Sequence, residues 1–236
     1  MTTRRSFLKG AAVLGGALVT GVGLGPGIAQ ACCAPTILIT GYSPFGGRKI
    51  NTSWDVAQQV GAILRADDYY VDVELVPTDW TNYRPRILSL VEERTPIVVL
   101  GIGERGGYFY APAMELRAFN KAQGTDAFGN SAPAELVPGG PGEIAAPEAN
   151  KLAYQAARAA GYKINPSYDA GRFLCNAELY TNLSLVNDKK IAAGGFVHVP
   201  ALKTSEDKKV GEFAQAIAET VRHLAASTGW WDAPRR

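Results

Sequence analysis

The chain is sparing with the residues that hold metals and staple folds: it has three cysteines, Cys32, Cys33 and Cys175, and two histidines, His198 and His223. No cluster of them has metal-ligand spacing, so no metal is expected. A Walker lysine motif is absent, which removes P-loop phosphate chemistry from consideration. There is no internal repeat and no long low-complexity tract, so repeat architectures and biased, disordered segments fall away. Charge of one sign is lacking too. Arg4, Arg5 and Lys9 lie in a segment without acids; the 24 basic residues less these three leave 21 against 22 acidic ones, a net of −1. Such a body offers no electrostatic footprint for nucleic acid or an anionic membrane surface.

What is there is an ordinary globular composition: 236 residues, 47% apolar and 19% charged, enough for one domain with a substantial core. The N-terminus reads separately, as an export signal over residues 1–31. Thr3-Arg4-Arg5-Ser6-Phe7-Leu8-Lys9 resembles the bacterial twin-arginine signal, an address read by a receptor. The apolar stretch Ala11 to Ile28 holds six glycines and Pro26, which makes a poor permanent membrane helix. Ala29-Gln30-Ala31 offers the small-x-small pattern that signal peptidases cut. The expectation is a periplasmic or secreted protein, delivered by the twin-arginine export machinery, with residues 32–236 as its single domain. The alternatives are an N-terminal membrane anchor, or a lipid on Cys32, although the residues before it lack a Leu-rich lipobox. Thiols outside the cytoplasm tend to oxidise. Cys32 and Cys33 stand at the expected mature N-terminus, which leaves Cys175 alone in the body. An odd thiol in an exported protein is a candidate reactive group.

The body alternates strands and helices. Thr36 to Thr40 is a short apolar run stopped by Gly41 and reads as a buried strand. Thr52-Ser53-Trp54-Asp55 resembles a capping box with Thr52 as N-cap; its helix carries Val56, Val60 and Leu64 on one face. Tyr69 to Val76 is a strand. Tyr83 to Glu93 is a helix with Ile87, Leu88 and Val91 inward, and Pro96 to Leu100 is a second buried strand. Gly101 to Ala146 reads as irregular, strand-like from Tyr108 to Asn120 and then rich in Gly and Pro, with Pro138-Gly139-Gly140-Pro141-Gly142. Connections of that length are either functional or solvated loop. A helix runs from Pro147 at its first position to near Gly161. A short strand spans Ser167 to Asp169, a helix Phe173 to Val186, and a strand Gly195 to Val199. Thr204-Ser205-Glu206-Asp207 caps a last helix whose stripe is Val210, Phe213, Ile217, Val221 and Leu224.

This order predicts a single-domain three-layer α/β/α fold with a mostly parallel central sheet, of the phosphorylase/hydrolase-like kind. Right-handed crossovers put the strands' C-terminal ends on one edge, where ligands of such sheets bind. Gly41, Gly101, the turn from Asp169 to Gly171 and His198 all fall at that edge.

Cys175 belongs to the first turn of its helix. One reading is a buried small hydrophobe, where most free cysteines go. The other is a nucleophile whose thiolate is favoured by the helix N-terminus. His198 is either a core histidine satisfied by backbone or the general base for that thiol. His223, between Arg222 and Leu224 of the last helix, reads as a surface or interface residue. Gly101-Ile102-Gly103-Glu104-Arg105-Gly106 matches the dinucleotide pattern, but Gly107-Tyr108-Phe109-Tyr110-Ala111-Pro112 follows where a helix should begin. The glycines read as a flexible turn, and no cofactor is expected. Trp230 and Trp231 either pack on the body or form an interface.

Taken together, five ordered motifs resemble the pyroglutamyl peptidase I family over the body from about Pro35 to the last helix. They are Ile37 to Gly47, followed by Asn51 and Ser53-Trp54; Val76-Pro77-Thr78; Met114 to Asn120; Asp169 to Asn176; and Gly195 to Pro200. The resemblance implies a Glu-Cys-His triad in Glu115, Cys175 and His198 and no metal or cofactor. The implied substrate is a peptide with an N-terminal pyroglutamate. The implied lactam pocket is walled by Tyr42 and Phe45, with Asn51 and Thr78 at polar positions. Self-association into a homo-oligomer is compatible with it. The alternative reading of Glu115 is a surface carboxylate paired with Arg117 or Arg105. The chain departs from the family pattern in four places. Tyr42 stands where phenylalanine is usual, Ile102 follows Gly101, and the stretch from Gly101 to Glu115 is longer. Gln123-Gly124-Thr125-Asp126-Ala127-Phe128 replaces an arginine-proline-aspartate segment. A twin-arginine leader is also unexpected for the family. These departures keep two alternatives open: a thiol hydrolase of another amide or lactam, and a non-catalytic peptide-binding relative.

Overall fold

The computed structural model describes residues 36–107, 110–204 and 208–230. The export signal, Cys32, Cys33, the Ser205-Glu206-Asp207 part of the expected cap and Trp231 lie outside them. The central sheet is built from β1 (Thr36–Tyr42), β2 (Tyr70–Val76), β3 (Val98–Arg105), β4 (Ala113–Glu115), β7 (Asn165–Ser167) and β8 (Ala193–Pro200), in the order β2-β1-β3-β8-β4-β7. All pairings are parallel except β4 against β8. A second, two-stranded sheet pairs β5 (Arg117–Phe119) with β6 (Glu143–Ala145). The helices are α1 (Thr52–Ala66), α2 (Tyr83–Arg94), α3 (Glu148–Ala159), α4 (Leu174–Asn187) and α5 (Lys209–Ser227).

The near-continuous apolar runs of β1, β3 and β8 follow from burial on both faces. With a period of two, alternate residues serve two different cores. Ile37, Ile39, Val98, Leu100, Ile102, Val197 and Val199 pack with the apolar stripes of α1, α3 and α5. Leu38, Val99 and Phe196 face the other way, toward α2 and α4. Thr40, Tyr42, Gly101, Gly103 and His198 share the parity of that second face, so the edge of the sheet nearest α4 carries the polar and small residues. Each fully buried leucine or valine of these cores contributes about 2 kcal/mol relative to exposure.

α4 is buried almost all round, polar residues included: Asn176, Glu178, Thr181 and Asn182 are all sealed. The long segment between β3 and α3 is the reason. Rather than a solvated loop, it covers the outer side of α4. The Asn176 side chain accepts from Phe119 N (2.9 Å) and donates to the carbonyls of Phe119 (2.9 Å) and Lys121 (3.1 Å). Asn120 in turn holds Val137 and Gly140. The Tyr180 hydroxyl donates to the Pro141 carbonyl at 2.8 Å, over Gly140, where a Cβ would fall 2.8 Å from that hydroxyl. The Gly/Pro run is therefore shaped to lie against a tyrosine of the central helix.

Several boundaries differ from the sequence reading. The N-cap of α1 is Asn51, not Thr52; its side chain accepts from Ser53 N and Ser53 Oγ at 3.1 and 2.8 Å. Thr52 serves elsewhere, its hydroxyl accepting from Leu202 N at 2.8 Å. Pro147 is the N-cap of α3 rather than its first helical residue. β7 ends at Ser167, so Asp169 belongs to the turn that follows. The glycines at 101 and 103 are not a flexible turn: they continue β3, paired in register with Phe196 and His198 of β8. β4 runs against its neighbours, so not every strand end points the same way.

Candidate active site

The turn into α4 is made by Asp169, whose Oδ1 accepts from Gly171 N (3.0 Å) and from Arg172 (2.6 Å), and by Gly171 at φ +79°. That φ lies where side chains strain the backbone. Slight burial opposes ionisation of Asp169, but Arg172 and the Gly171 N–H outweigh it and hold the carboxyl below its ordinary value. The turn delivers Cys175 as the second residue of α4, aimed at β3.

Gly103 is what lets it approach. A Cβ there would fall 2.9 Å from the Cys175 sulfur and 2.5 Å from the Phe196 ring. One pleat earlier, a Cβ on Gly101 would fall 2.7 Å from Glu178 Oε1. Cys175 and Glu178 are three apart and share a helix face, and the glycines are two apart and share a sheet face. The pair of glycines thus admits two side chains of one helix. Gly103 is also the register partner of His198, so the sulfur lies against the strand position beside the imidazole.

His198 Nδ1 is 2.7 Å from Glu115 Oε1, with both residues buried at 4% and 0% exposure. They meet because Ala113 of β4 registers with His198, which places Glu115 on the same face one pleat on. A carboxylate accepts, so the proton of the ring sits on Nδ1 and Nε2 is left with a free lone pair. Arg105 Nη1 stands 3.8 Å from Glu115 Oε1. Glu115 is therefore not a surface carboxylate, and Arg117 pairs instead with Glu143 at 3.9 Å. The edge of the Phe196 ring backs the imidazole at 5.2 Å.

Cys175 and His198 open on one cavity of about 240 Å³ whose lining includes Tyr42, Phe45, Asn51 and Thr78. A shallower hollow of about 640 Å³ between α3 and α5 is larger but is lined mainly by alanines and holds no cysteine. The cavity's aromatic wall is a chain of rings: Phe45 stacks on Phe173 at 6.0 Å, and Trp80 meets Phe173 edge-on at 5.3 Å. Thr78 is buried and its hydroxyl has no hydrogen-bond partner. Asn51 is fully engaged, since it caps α1 and donates to the Ser43 carbonyl at 3.0 Å. It shapes the loop before α1. Tyr42 lines the cavity, and its hydroxyl donates to the Leu174 carbonyl at 3.3 Å.

The electrostatics at the sulfur oppose the expectation of a thiolate set by the helix N-terminus. Burial, then the charges of Glu178 and Glu115, push the Cys175 thiol well above its ordinary value, against a smaller pull from its own N–H and Arg105. The residue nonetheless keeps part of its surface open to the cavity. Among the described residues, no group of three or more His, Cys, Asp and Glu side chains is placed to hold a metal ion, and no helix is long and apolar enough to cross a membrane.

Two departures from the family pattern find their places. Ile102 points into the α1/α5 core, on the face opposite Cys175. The segment with Asp126 braces the wall: Asp126 accepts from the backbone N–H of Trp80, Phe128 and Asn130, each at 2.8 Å, and from the Asn130 side chain at 2.9 Å. Glu178, Phe173 and Asp126 were not singled out as site residues from the sequence. Only Glu178 carried a signal there, a charge on the buried face of a helix. His223 is half-exposed and pairs with Glu219 at 3.1 Å.

A mostly parallel α/β sheet with a cysteine at a helix start and a carboxylate-bound histidine opening on the same small cavity is the setting in which the family is met. The family described as pyroglutamyl peptidase matches residues 35–228, and the chain belongs to it. A pyrrolidone-carboxylate peptidase of Escherichia fergusonii is 32% identical over 190 residues, covering 79% of this chain and 87% of that one. A pyrrolidone-carboxylate peptidase of Brevibacillus brevis is 29% identical, covering 80% and 89%. The crystal structure of pyroglutamyl peptidase I from Bacillus amyloliquefaciens superposes with a TM-score of 0.72 at 24% identity, covering 81% of this chain and 97% of that one. That likeness supports the single-domain α/β fold with its mostly parallel sheet.

Proposed function

We propose that this protein hydrolyses the amide after an N-terminal pyroglutamyl residue of peptides, with Cys175 as nucleophile, His198 as general base and acid, and Glu115 as the group that orients His198. The observation that carries this reading is the buried 2.7 Å pair of Glu115 and His198 opening on the same cavity as Cys175. Because the thiol is pushed up by burial, the resting site holds a neutral thiol. The proton leaves sulfur for His198 Nε2 as sulfur attacks the amide carbonyl. Glu115 stabilises the imidazolium that forms. The oxyanion is met by backbone N–H groups at the start of α4, that of Cys175 among them. His198 then returns the proton to the leaving amine. Water, with its proton passing to His198, releases pyroglutamate from the thioester.

The lactam ring lies against Phe45 and Phe173, and the unpartnered Thr78 hydroxyl hydrogen-bonds it. A free buried hydroxyl is costly to leave unmade, so a substrate that uses it is favoured over one that does not. Ile102 faces the opposite core, so it no longer argues for a different amide or lactam. The leader supports export by the twin-arginine route, with a periplasmic or secreted mature domain of residues 32–236.

Reduced protein is expected to turn over a fluorogenic pyroglutamyl amide, and Cys175→Ser to abolish it. No turnover by wild type, or equal turnover by the variant, would refute the assignment. For export, the Arg4→Lys, Arg5→Lys double variant should accumulate inside the cell with its leader uncut; unchanged delivery would refute that route.

A further inference from the structure

The mechanism leaves one buried acid without a task. Glu178 lies one helical turn beyond Cys175 on the same face of α4, against Gly101 and Phe196. It is fully buried, and its Oε1 accepts a short hydrogen bond from Thr40. Its Oε2 has no hydrogen-bond partner. The Tyr42 hydroxyl adjoins the same carboxyl and donates to the Leu174 carbonyl, 3.3 Å away. Leu174 is the residue before Cys175. A carboxylate would leave a lone charged oxygen in an apolar core, whereas a carboxylic acid has a proton to give.

The donor count then closes. Protonated Glu178 can give its proton to the adjoining Tyr42 oxygen, and Tyr42 gives its own to the Leu174 carbonyl. Thr40 satisfies Oε1. Ionised Glu178 would instead compete with Leu174 for the Tyr42 proton. It would also set a negative charge beside the sulfur, which already lies near the carboxylate of Glu115.

We propose that Glu178 is a proton-bearing positioning residue that governs the Cys175 thiol: in its neutral form it bonds through Tyr42 to the start of α4 and permits the sulfur to ionise, and in its charged form it opposes that ionisation. The inference rests on Cys175 being the nucleophile, as proposed above. The ionisable groups around the carboxyl are Tyr42 on β1, Tyr83 on α2 and Cys175 on α4 itself; β3 and β8 present Gly101 and Phe196. Burial raises Glu178 to about 7, against hydrogen bonds from Thr40 and Tyr42 that lower it; no cation is among the influences on it. Its neutral form is therefore available at the pH where most proteins work, and loses its proton to solvent just above.

The test is the rate at which iodoacetamide alkylates Cys175 in the full chain, read by peptide mass spectrometry so that Cys32 and Cys33 are counted apart. In wild type the rate should rise with pH in two steps, the first damped as Glu178 ionises. Glu178→Gln should show a single thiol titration, about tenfold faster than wild type near pH 8 and within about twofold of it near pH 5.5. Tyr42→Phe removes the bond that links the acid to the Leu174 carbonyl, so it should shift the pH of the damping. Superimposable profiles for folded wild type and Glu178→Gln would overturn the proposal. Should Glu178→Gln not fold, Tyr42→Phe decides it alone, and an unmoved inflection overturns it. Alkylation needs no substrate. The two-step profile without pyroglutamyl turnover would sink the substrate assignment and support this inference; turnover with coincident profiles would do the reverse.

Discussion

His198 donates from Nδ1 to Glu115 Oε1 over 2.7 Å, and neither residue reaches solvent to any useful degree. The bond comes from the one antiparallel pairing in the central sheet, β4 against β8, which brings a carboxylate alongside a histidine 83 residues away in sequence. Buried, the pair is screened little by salt and holds a single tautomer. Glu115→Gln keeps the shape and removes the charge, so kcat should fall on the order of 10³-fold with KM little changed. Steady-state kinetics with a pyroglutamyl amide checks this, and a loss under about tenfold would assign Glu115 a purely structural part.

Gly103 predicts a steric effect. Gly103→Ala sets a methyl 2.5 Å from the Phe196 ring and 2.9 Å from the Cys175 sulfur. Overpacking of that kind costs about 1–3 kcal/mol and displaces the nucleophile, so activity should be lost along with some stability. Gly142→Ala meets nothing within 4 Å and should change neither. Thermal denaturation beside turnover separates the two.

Thr78 predicts a binding effect. Thr78→Val keeps the volume and removes the unpartnered hydroxyl. KM for a pyroglutamyl amide should rise about tenfold while kcat changes little. An unaltered KM would place the lactam elsewhere in the cavity.

Asp126 predicts a limb of the acid stability curve. A burial penalty works against it, yet N–H donors from Trp80, Asn130 and Phe128 and the Asn130 side chain bring its carboxyl from 3.8 to about 2. A group held lower in the folded state stabilises above its unfolded value, and that stability is lost as pH falls through the folded one. Asp126→Asn should therefore flatten the stability curve between about pH 4 and about pH 2. Trp80 braces Phe173, so KM should rise in the same variant.

Glu178 predicts the opposite limb. Its carboxyl is raised from 4.5 to about 7 by burial. The folded state then binds more protons than the unfolded one across that interval, so stability falls as pH rises through it, by on the order of 3 kcal/mol. Glu178→Gln should remove that fall. Urea titrations from about pH 4 to about pH 8 measure it, and an equal slope in both proteins would mean that the carboxyl titrates normally.

Much of the site was legible in the chain. The thiol stood out because it was alone in the body, and His198 because the other histidine, between Arg222 and Leu224 of the last helix, read as a surface or interface residue. The strand and helix order followed from apolar runs and caps, but β6 was missed and β4 and β5 were read as one strand-like stretch. The paired glycines of β3 were misread because a strand glycine and a turn glycine look alike in one dimension. Only the packed helix tells them apart.

Composition, periodicity and the spacing of a few motifs by themselves determined an alternating α/β chain, its layers, and which thiol and imidazole to consider, since these depend on local patterns; the carboxylate came only from the family resemblance. Tertiary structure alone decided the rest: that Gly101 and Gly103 admit Glu178 and Cys175, that Ile102 faces away, that Asn51 is spent on a cap, and that Asp126 braces an aromatic wall. Each of these is a contact between residues distant along the chain, and its existence depends on which face of a strand meets which turn of a helix. A shift of one residue in either would undo it.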